Sequence, residues 1–288
     1  KNSVMVGGTA ELIQIRGKDA CDFLQRISTV NLRKIQVGQA CKAALLTGTA
    51  NILATFVLAA EAADSFLLFV EAEQAQSLCD TLEKMHFSFL FEILPAQKGF
   101  LNLATELVGE TQLPQEQHAL DAEFFPFTIA SHGSEKSYSW PHPIPGFLMV
   151  FSGEKSSRSG SSISDAQLEF LRIQNKIPAF GKDWNCSANI LNVGLLPWVH
   201  RGKGCYPGQE VVERSLNVGH PARVLLLLVL DSLAMSGEKI YLNSVAVGEI
   251  SSFAAWNGEI LALAQVQWNA SKSEKFQRAG AGEARCRK

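Results

Sequence analysis

Between Leu12 and Leu94 the apolar pattern changes period in a set order, and that order limits the fold more than any other feature. Leu12–Ile15 alternates as a strand does, and Gly17-Lys18-Asp19 interrupts it. Asp19 is placed to cap a helix, with Asp22 in its first turn, where negative charge is favourable. Ala20, Phe23, Leu24 and Ile27 then fall at i, i+3, i+4 and i+7, one buried helical face. Ala43–Leu46 and Ile52–Ala60 read as strands around Thr47-Gly48-Thr49, and Ser65–Val70 as another. A helix is expected from about Glu73 to His86, with Ala75, Leu78, Cys79, Leu82 and Met85 inward. Phe87–Leu94 reads as a strand ended by Pro95. This alternation points to an α+β fold containing a ferredoxin-like split βαβ half.

Leu101–Val108 and Phe124–Ala130 continue the strands, separated by polar loops at Gly109–His118, Ser131–Ser139 and Ser152–Ser162. Ser164-Asp165-Ala166-Gln167 is a capping-box pattern that starts a helix running to about Asn175 and stopping near Ile177-Pro178. From Arg223 the character changes. Val224–Leu230, Lys239–Leu242, Val245–Ile250 and Glu259–Gln265 are short strands at close spacing with Gly turns, a small β-barrel or sandwich. Residues 271–288 lack periodicity and read as a disordered tail. The expected division is an interleaved α/β region over 1–222 with an internal boundary near 95–120, then a barrel over 223–270, then the tail.

Composition narrows the class. The 47% hydrophobic and 19% charged fractions suit a packed core, and the net charge of −2 provides no global field to attract nucleic acid. Ile52–Ala60 and Val224–Leu230, the longest apolar runs, suit buried strands and are far short of the roughly 20 residues that span a bilayer. Six cysteines are scattered without CxxC spacing, which argues against a disulfide scaffold or a zinc site and for a reducing compartment. The expected location is the cytoplasm, or an organellar matrix if a targeting segment has been removed from before Lys1.

The segment His200–Glu210 differs from the rest. Its three glycines in seven residues, Gly202, Gly204 and Gly208, expose backbone N–H groups and permit close approach of a ligand. Cys205 has Lys203 two residues away and Arg201 and His200 nearby, and positive charge favours the reactive thiolate. Pro207-Gly208 is a turn that projects the thiol outward, while Gln209 and Glu210 suit the edge of a flat heterocycle. The same string also fits a tight turn around a buried thiol. Arg172, Lys176, Arg214 and Arg223 fit ordinary surface charge equally well.

Lys203-Gly204-Cys205-Tyr206-Pro207-Gly208-Gln209-Glu210 resembles the K-G-C-Y-x-G-Q-E signature of the YgfZ-type folate-binding proteins, relatives of the glycine-cleavage T-protein. Gly17-Lys18-Asp19-Ala20-Cys21-Asp22-Phe23-Leu24-Gln25 is similar to that family's G-x-D-A-x-x-F-L-Q, with Thr29 close behind. Arg172-Ile173 with Ile177-Pro178 and Gly181 resembles its R-I-x-x-G-x-P-x-x-G. Asn192 stands where the family has Asn before Leu. Three positions depart from the pattern. Ala50-Asn51 replaces a Gly-Arg or Gly-Lys hairpin, Lys176 replaces the Gly before Ile-Pro, and Ser187–Ile190 lacks the usual Pro.

The resemblance, over about residues 10–265, implies a T-protein-like architecture in which α/β parts and a C-terminal barrel surround a central opening for tetrahydrofolate or another reduced folate. It implies Cys205 as the working thiol. It also implies Lys203, Gly204, Tyr206, Gly208, Gln209, Glu210, Arg172, Asn192 and Arg214 as folate contacts. The function implied is support of assembly or repair of iron–sulfur enzymes, including one that modifies tRNA, with iron–sulfur client or assembly proteins as partners. Membrane, nucleic acid and a metal bound by this chain are not expected, and no turnover reaction is attached to the family. The alternatives are a folate-dependent aminomethyltransferase or demethylase, and a catalytically silent interaction module. Against the transferase, the T-proteins' acidic Gly-Glu-Asp-Gly segment is missing, and the corresponding Pro141–Phe147 contains no acid.

Overall fold

The computed structural model describes residues 3–105, 123–132, 135–143, 147–153, 164–278 and 282–287. The expected loop 109–118, most of 152–162 and the end of the strand 101–108 lie outside these residues. The chain forms two compact units that alternate along the sequence. One comprises Lys1–Gly48, Ile52–Ser162 and Pro197–Gly208, and the other Thr49–Asn51, Ile163–Leu196 and Gln209–Lys288.

The first unit contains β1 (Ser3–Arg16), α1 (Ala20–Ile27), β2 (Gln39–Leu46), β3 (Ile52–Ala62), β4 (Ser65–Glu71), α2 (Ala72–Met85), β5 (Glu92–Ile93), β6 (Gln97–Thr105), β7 (Phe125–Pro126), β8 (Thr128–His132), β9 (Glu135–Pro141) and β10 (Phe147–Ser152). The strands pair in the order β7-β2-β3-β4-β1-β6-β10-β9-β8, with β5 also on β1. The two ends of that order, β7 and β8, are separated only by Phe127, so the sheet curls until its edges meet. Between the helices runs the meander β2-β3-β4, one strand more than the simplest split βαβ.

Period-two alternation places Ile13, Ile15, Phe56, Leu58, Phe66 and Leu68 on one face, under Phe23 and Leu24 of α1 and Leu78 and Leu82 of α2. Leu12, Leu67 and Phe69 face the other way. There Phe69 meets Phe127, Tyr138, Trp140 and Phe151 at ring separations of 4.8 to 5.7 Å. Both faces are buried, so the strands read as nearly continuous apolar runs.

Three local expectations are corrected. Phe87–Leu94 yields only the two residues of β5, and Phe87 is 77% exposed. Asp19 sits at the start of α1 but makes no cap bond, because its Oδ2 accepts from the Leu90 amide at 2.8 Å. The polar stretch 131–139 contains most of β9, because Tyr138 and Trp140 bury against the second core.

The second unit contains α3 (Asp165–Gln174), α4 (Gln209–Asn217), β11 (Arg223–Leu230), β12 (Lys239–Leu242), β13 (Val245–Trp256), β14 (Glu259–Gln267), β15 (Lys275–Arg278) and β16 (Glu283–Cys286). The capping box closes as expected: Ser164 Oγ accepts from the Gln167 amide at 3.2 Å, and Gln167 Oε1 from the Ser164 amide at 2.8 Å. The helix ends in a Schellman pair, Lys176 N–H to Ile173 O and Ile177 N–H to Arg172 O. Lys176 takes φ 53°, the left-handed position where the resembled family has Gly.

The six strands close into a barrel, β11-β14-β13-β12-β15-β16, filled by Leu228, Ile240, Ile250, Val266, Phe276 and Ala284. The expectation of a disordered tail is corrected at Lys275–Arg278 and Glu283–Cys286, which are strands. β15 and β16 supply the closing strands, with β16 pairing on β11. Arg278, 6% exposed, donates to Asp231, Glu238, Ser232 and the Leu233 carbonyl, tying β15 to the 231–238 loop. Phe170 and Ile173 of α3 pack on Leu227, Leu261 and Leu263 of this barrel. The grouping of 163–196 and 209–222 with the barrel differs from a division at residue 222. No helix among the described residues is long and apolar enough to cross a membrane.

Candidate functional site

The signature lies in the first unit as far as Gly208. Gly202 (φ 67°), Gly204 (φ 96°) and Gly208 (φ 83°) all occupy the left-handed region, which explains why glycine is needed there. Side chains turn opposite ways between them: Lys203 and Tyr206 are 6% and 7% exposed, whereas Cys205 is exposed. A Cβ at Gly202 or Gly204 would meet nothing within 4 Å, so the backbone beside Cys205 is bare on that side.

The loop is fastened to the end of α1. Gln25 Nε2 donates to the Lys203 carbonyl at 3.0 Å, and Gln25 Oε1 accepts from the Leu32 amide at 2.7 Å. Lys203 Nζ donates to the Gln25 carbonyl and stands 5.0 Å from the centroid of the Tyr206 ring. Burial pushes the Lys203 ammonium down to about 8, and the Cys205 charge acts the other way. Upstream, Thr29 Oγ1 donates to the Trp198 carbonyl at 2.6 Å, and the His200 amide donates to Thr29 O at 2.9 Å. His200 Nδ1 accepts from the Asn31 amide at 3.1 Å, which fixes the Nε2–H tautomer of the neutral ring. Burial holds His200 below its ordinary value, with Lys34 and Lys203 adding to the effect and Glu123 opposing it.

Cys205 is the exposed member of six free cysteines. Burial raises Cys21, Cys41, Cys79 and Cys186 above the ordinary thiol range, which disfavours their reactive form. Cys286, expected at a loose end, is partly buried in β16.

The other residues named from the sequence belong to the second unit. Gln209 and Glu210 are the first residues of α4, a helix not expected from the sequence, where the two read as hydrogen-bond groups for a ligand. Arg214 is exposed in its last turn. Asn192 Oδ1 accepts from the Arg223 amide at 3.1 Å and pins the start of β11. Asn192 also lines a polar cleft of about 490 Å³ with Trp184, Asn185, Arg223, Glu249 and Gln265.

Arg172 spends its guanidinium donors inside the protein. Its Nε and one Nη2 proton go to the two Glu169 oxygens at 2.9 and 2.7 Å, and Nη1 goes to Asp183 at 2.6 Å and the Ile177 carbonyl at 2.5 Å. The remaining Nη2 proton goes to Ser252 at 2.9 Å, so all five guanidinium donors are engaged. Asp183, buried, also accepts from Ser251, Ser252 and the Ala179 amide, which makes this a saturated structural network. Lys203 is likewise turned inward. Sequence reasoning quoted Gln25 only within a motif. The available signal was a polar residue set among the apolar positions Phe23, Leu24 and Ile27 of α1.

No protein-family model matches the chain. It is 24% identical over 258 residues to a putative chloroplastic transferase of Arabidopsis thaliana, covering 84% of this chain and 59% of that protein. It therefore spans less than two thirds of that relative's length. It is 21% identical over 260 residues to an aminomethyltransferase of Halalkalibacterium halodurans, covering 83% of this chain and 71% of that one. Against an aminomethyltransferase of Chlorobium chlorochromatii it is 25% identical over 243 residues, with coverages of 77% and 65%. Among solved structures, the glycine cleavage system aminomethyltransferase T of Bartonella henselae matches with a TM-score of 0.70, over 98% of this chain and 85% of that one, at 20% identity. The chain has a T-protein-like fold.

Proposed function

We propose that this chain is a tetrahydrofolate-binding factor of the YgfZ type that supports assembly or repair of iron–sulfur enzymes, including tRNA-modifying ones, through Cys205. The observation that carries the reading is the presentation of Cys205: the exposed thiol stands between inward-facing Lys203 and Tyr206, next to backbone left bare by Gly202 and Gly204. That bare backbone fits close approach of a flat ligand. Folate would supply one-carbon carrier chemistry. Gly204 and Gly208 would admit it, and Gln209, Glu210, Asn192 and Arg214 are the proposed polar contacts. Arg172 and Lys203 are left out, since their donors face the protein. Six free cysteines support a reducing compartment, the cytoplasm or an organellar matrix.

The test is a titration of the purified chain with reduced folates, wild type against Cys205→Ala. Binding tighter than about millimolar is expected for both proteins, weakening as salt is added. In cells, Cys205→Ser should fold and bind folate yet fail to support iron–sulfur enzymes. A Ser variant that works as well as wild type would return the segment to a plain turn and the protein to a silent interaction module.

The names of two relatives favour a second reading, a folate-dependent aminomethyltransferase. General acid–base assistance to folate chemistry calls for a positioned acid, which Pro141–Phe147 does not contain. Turnover in an aminomethyl-transfer assay would replace the first reading with this one.

A further inference from the structure

Lys203 and Gln25 bond each other twice in opposite directions. The Gln25 amide reaches the Lys203 carbonyl at 3.0 Å, and the Lys203 ammonium reaches the Gln25 carbonyl. The second Gln25 side-chain atom holds the Leu32 amide at 2.7 Å, so one residue joins the end of α1, the turn after it and the signature loop. Both side chains are buried, at 7% and 6% exposure. Gly202 and Gly204, on either side of Lys203, take left-handed φ values of 67° and 96°, which lets the lysine turn in while its neighbours stay out. Among the described residues no carboxylate pairs with Lys203. The ionisable groups acting on it or feeling its charge are Cys205 on its own segment and His200 three residues earlier. The lysine therefore ties two segments together, its ammonium bonded to the Gln25 carbonyl and its own carbonyl held by the Gln25 amide, two residues before the exposed thiol.

We propose that Gln25 and Lys203 form a clasp that presents Cys205, with Lys203 a positioning residue that holds the loop carrying the thiol and Gln25 the residue that holds Lys203. This rests on the reading of Cys205 as the working thiol. It assigns to the lysine of the signature a role inside the protein and not on the ligand. Gln25, 178 residues away in sequence, becomes part of the same device.

The test uses the full chain with Cys286→Ser, so that Cys205 is the exposed thiol under observation. Iodoacetamide alkylation of the Cys205 peptide at pH 7 is followed by mass spectrometry, alongside thermal melting. Lys203→Met should change the alkylation rate of the folded protein by about threefold or more, because the loop that presents the thiol is no longer held. Gln25→Leu should change it the same way by less. The double variant should react like Lys203→Met alone, the non-additivity expected of one coupled unit. A residue that only stabilises the fold would lower the melting temperature and leave the rate in place, which overturns the proposal. So would rate changes that multiply in the double variant. If Lys203→Met does not fold, Gln25→Leu decides on the same readout. A reduced-folate titration separates the two readings. Lys203→Met should keep wild-type affinity within about threefold, and a tenfold loss with an unmoved alkylation rate would make Lys203 a ligand contact. Wild type that binds no folate, with the alkylation rate changes intact, would remove the folate reading and leave the clasp.

Discussion

Arg172→Lys tests whether this arginine holds the fold or a ligand. Lysine has three donors on a single point, where Arg172 presents five in a planar fork to Glu169, Asp183, Ile177 O and Ser252. At least two of the five bonds are lost, and the partners are poorly solvated: the Asp183 side chain is 0% exposed and that of Glu169 25%. A hydrogen bond to a charged group contributes about 1.5–3 kcal/mol, so the expected loss is roughly 3–5 kcal/mol. At about 2–4 °C per kcal/mol, melting should fall by roughly 6–20 °C while the protein stays folded at room temperature. An acid limb sharpens the test. Burial alone would raise the Glu169 carboxyl, but the hydrogen bonds and charge of Arg172 and Lys182 hold it below its ordinary value. A depressed carboxylate contributes stability that is present above its unfolded value near 4.5 and lost as pH falls through the folded one. That acid slope should be shallower in the variant. The assays are thermal melting from pH 3 to 7 and reduced-folate titration well below the melting point. Unchanged melting, or a tenfold loss of folate affinity in the folded variant, would refute the reasoning from saturated donors.

Lys176→Gly and Ala50→Gly place glycine at φ 53° and 62°, and each should raise stability by about 0.5–1 kcal/mol in denaturant titrations. Truncation after residue 270 removes β15 and β16, so the shortened chain should lose the cooperative barrel transition in melting. Phe276→Ala alone should cost about 3–5 kcal/mol. Because His200 is held below its ordinary value near 6.5, the unfolded chain binds more protons, and stability should fall as pH drops below that value. His200→Asn, whose amide oxygen can accept the Asn31 N–H, should flatten the slope between pH 7 and 5, as read by urea midpoints.

Neighbours along the chain decide part of this structure. The Ser164 box and the apolar face Ala20-Phe23-Leu24-Ile27 rest on bonds or contacts a few residues apart, and the strands from Val224 to Gln265 are marked by apolar runs between turn residues; all three are present. The glycines flanking Lys203 were legible as turn formers because left-handed backbone penalises any other residue. Tertiary structure decided the rest. The five acceptors of Arg172 come from residues 169, 177, 183 and 252, so its role as a saturated knot has no local signature. Residues 275–278 and 283–286 have weak strand patterns, and they become strands because β11 and β12 have open edges to pair with. β9 forms from a polar stretch because Tyr138 and Trp140 find Phe69 across the sheet. From its neighbours alone Gln25 is one polar residue among the apolar positions of α1. Only the fold, by bringing Lys203 against it, made it half of a clasp, because a buried amide must find its partners wherever the chain places them.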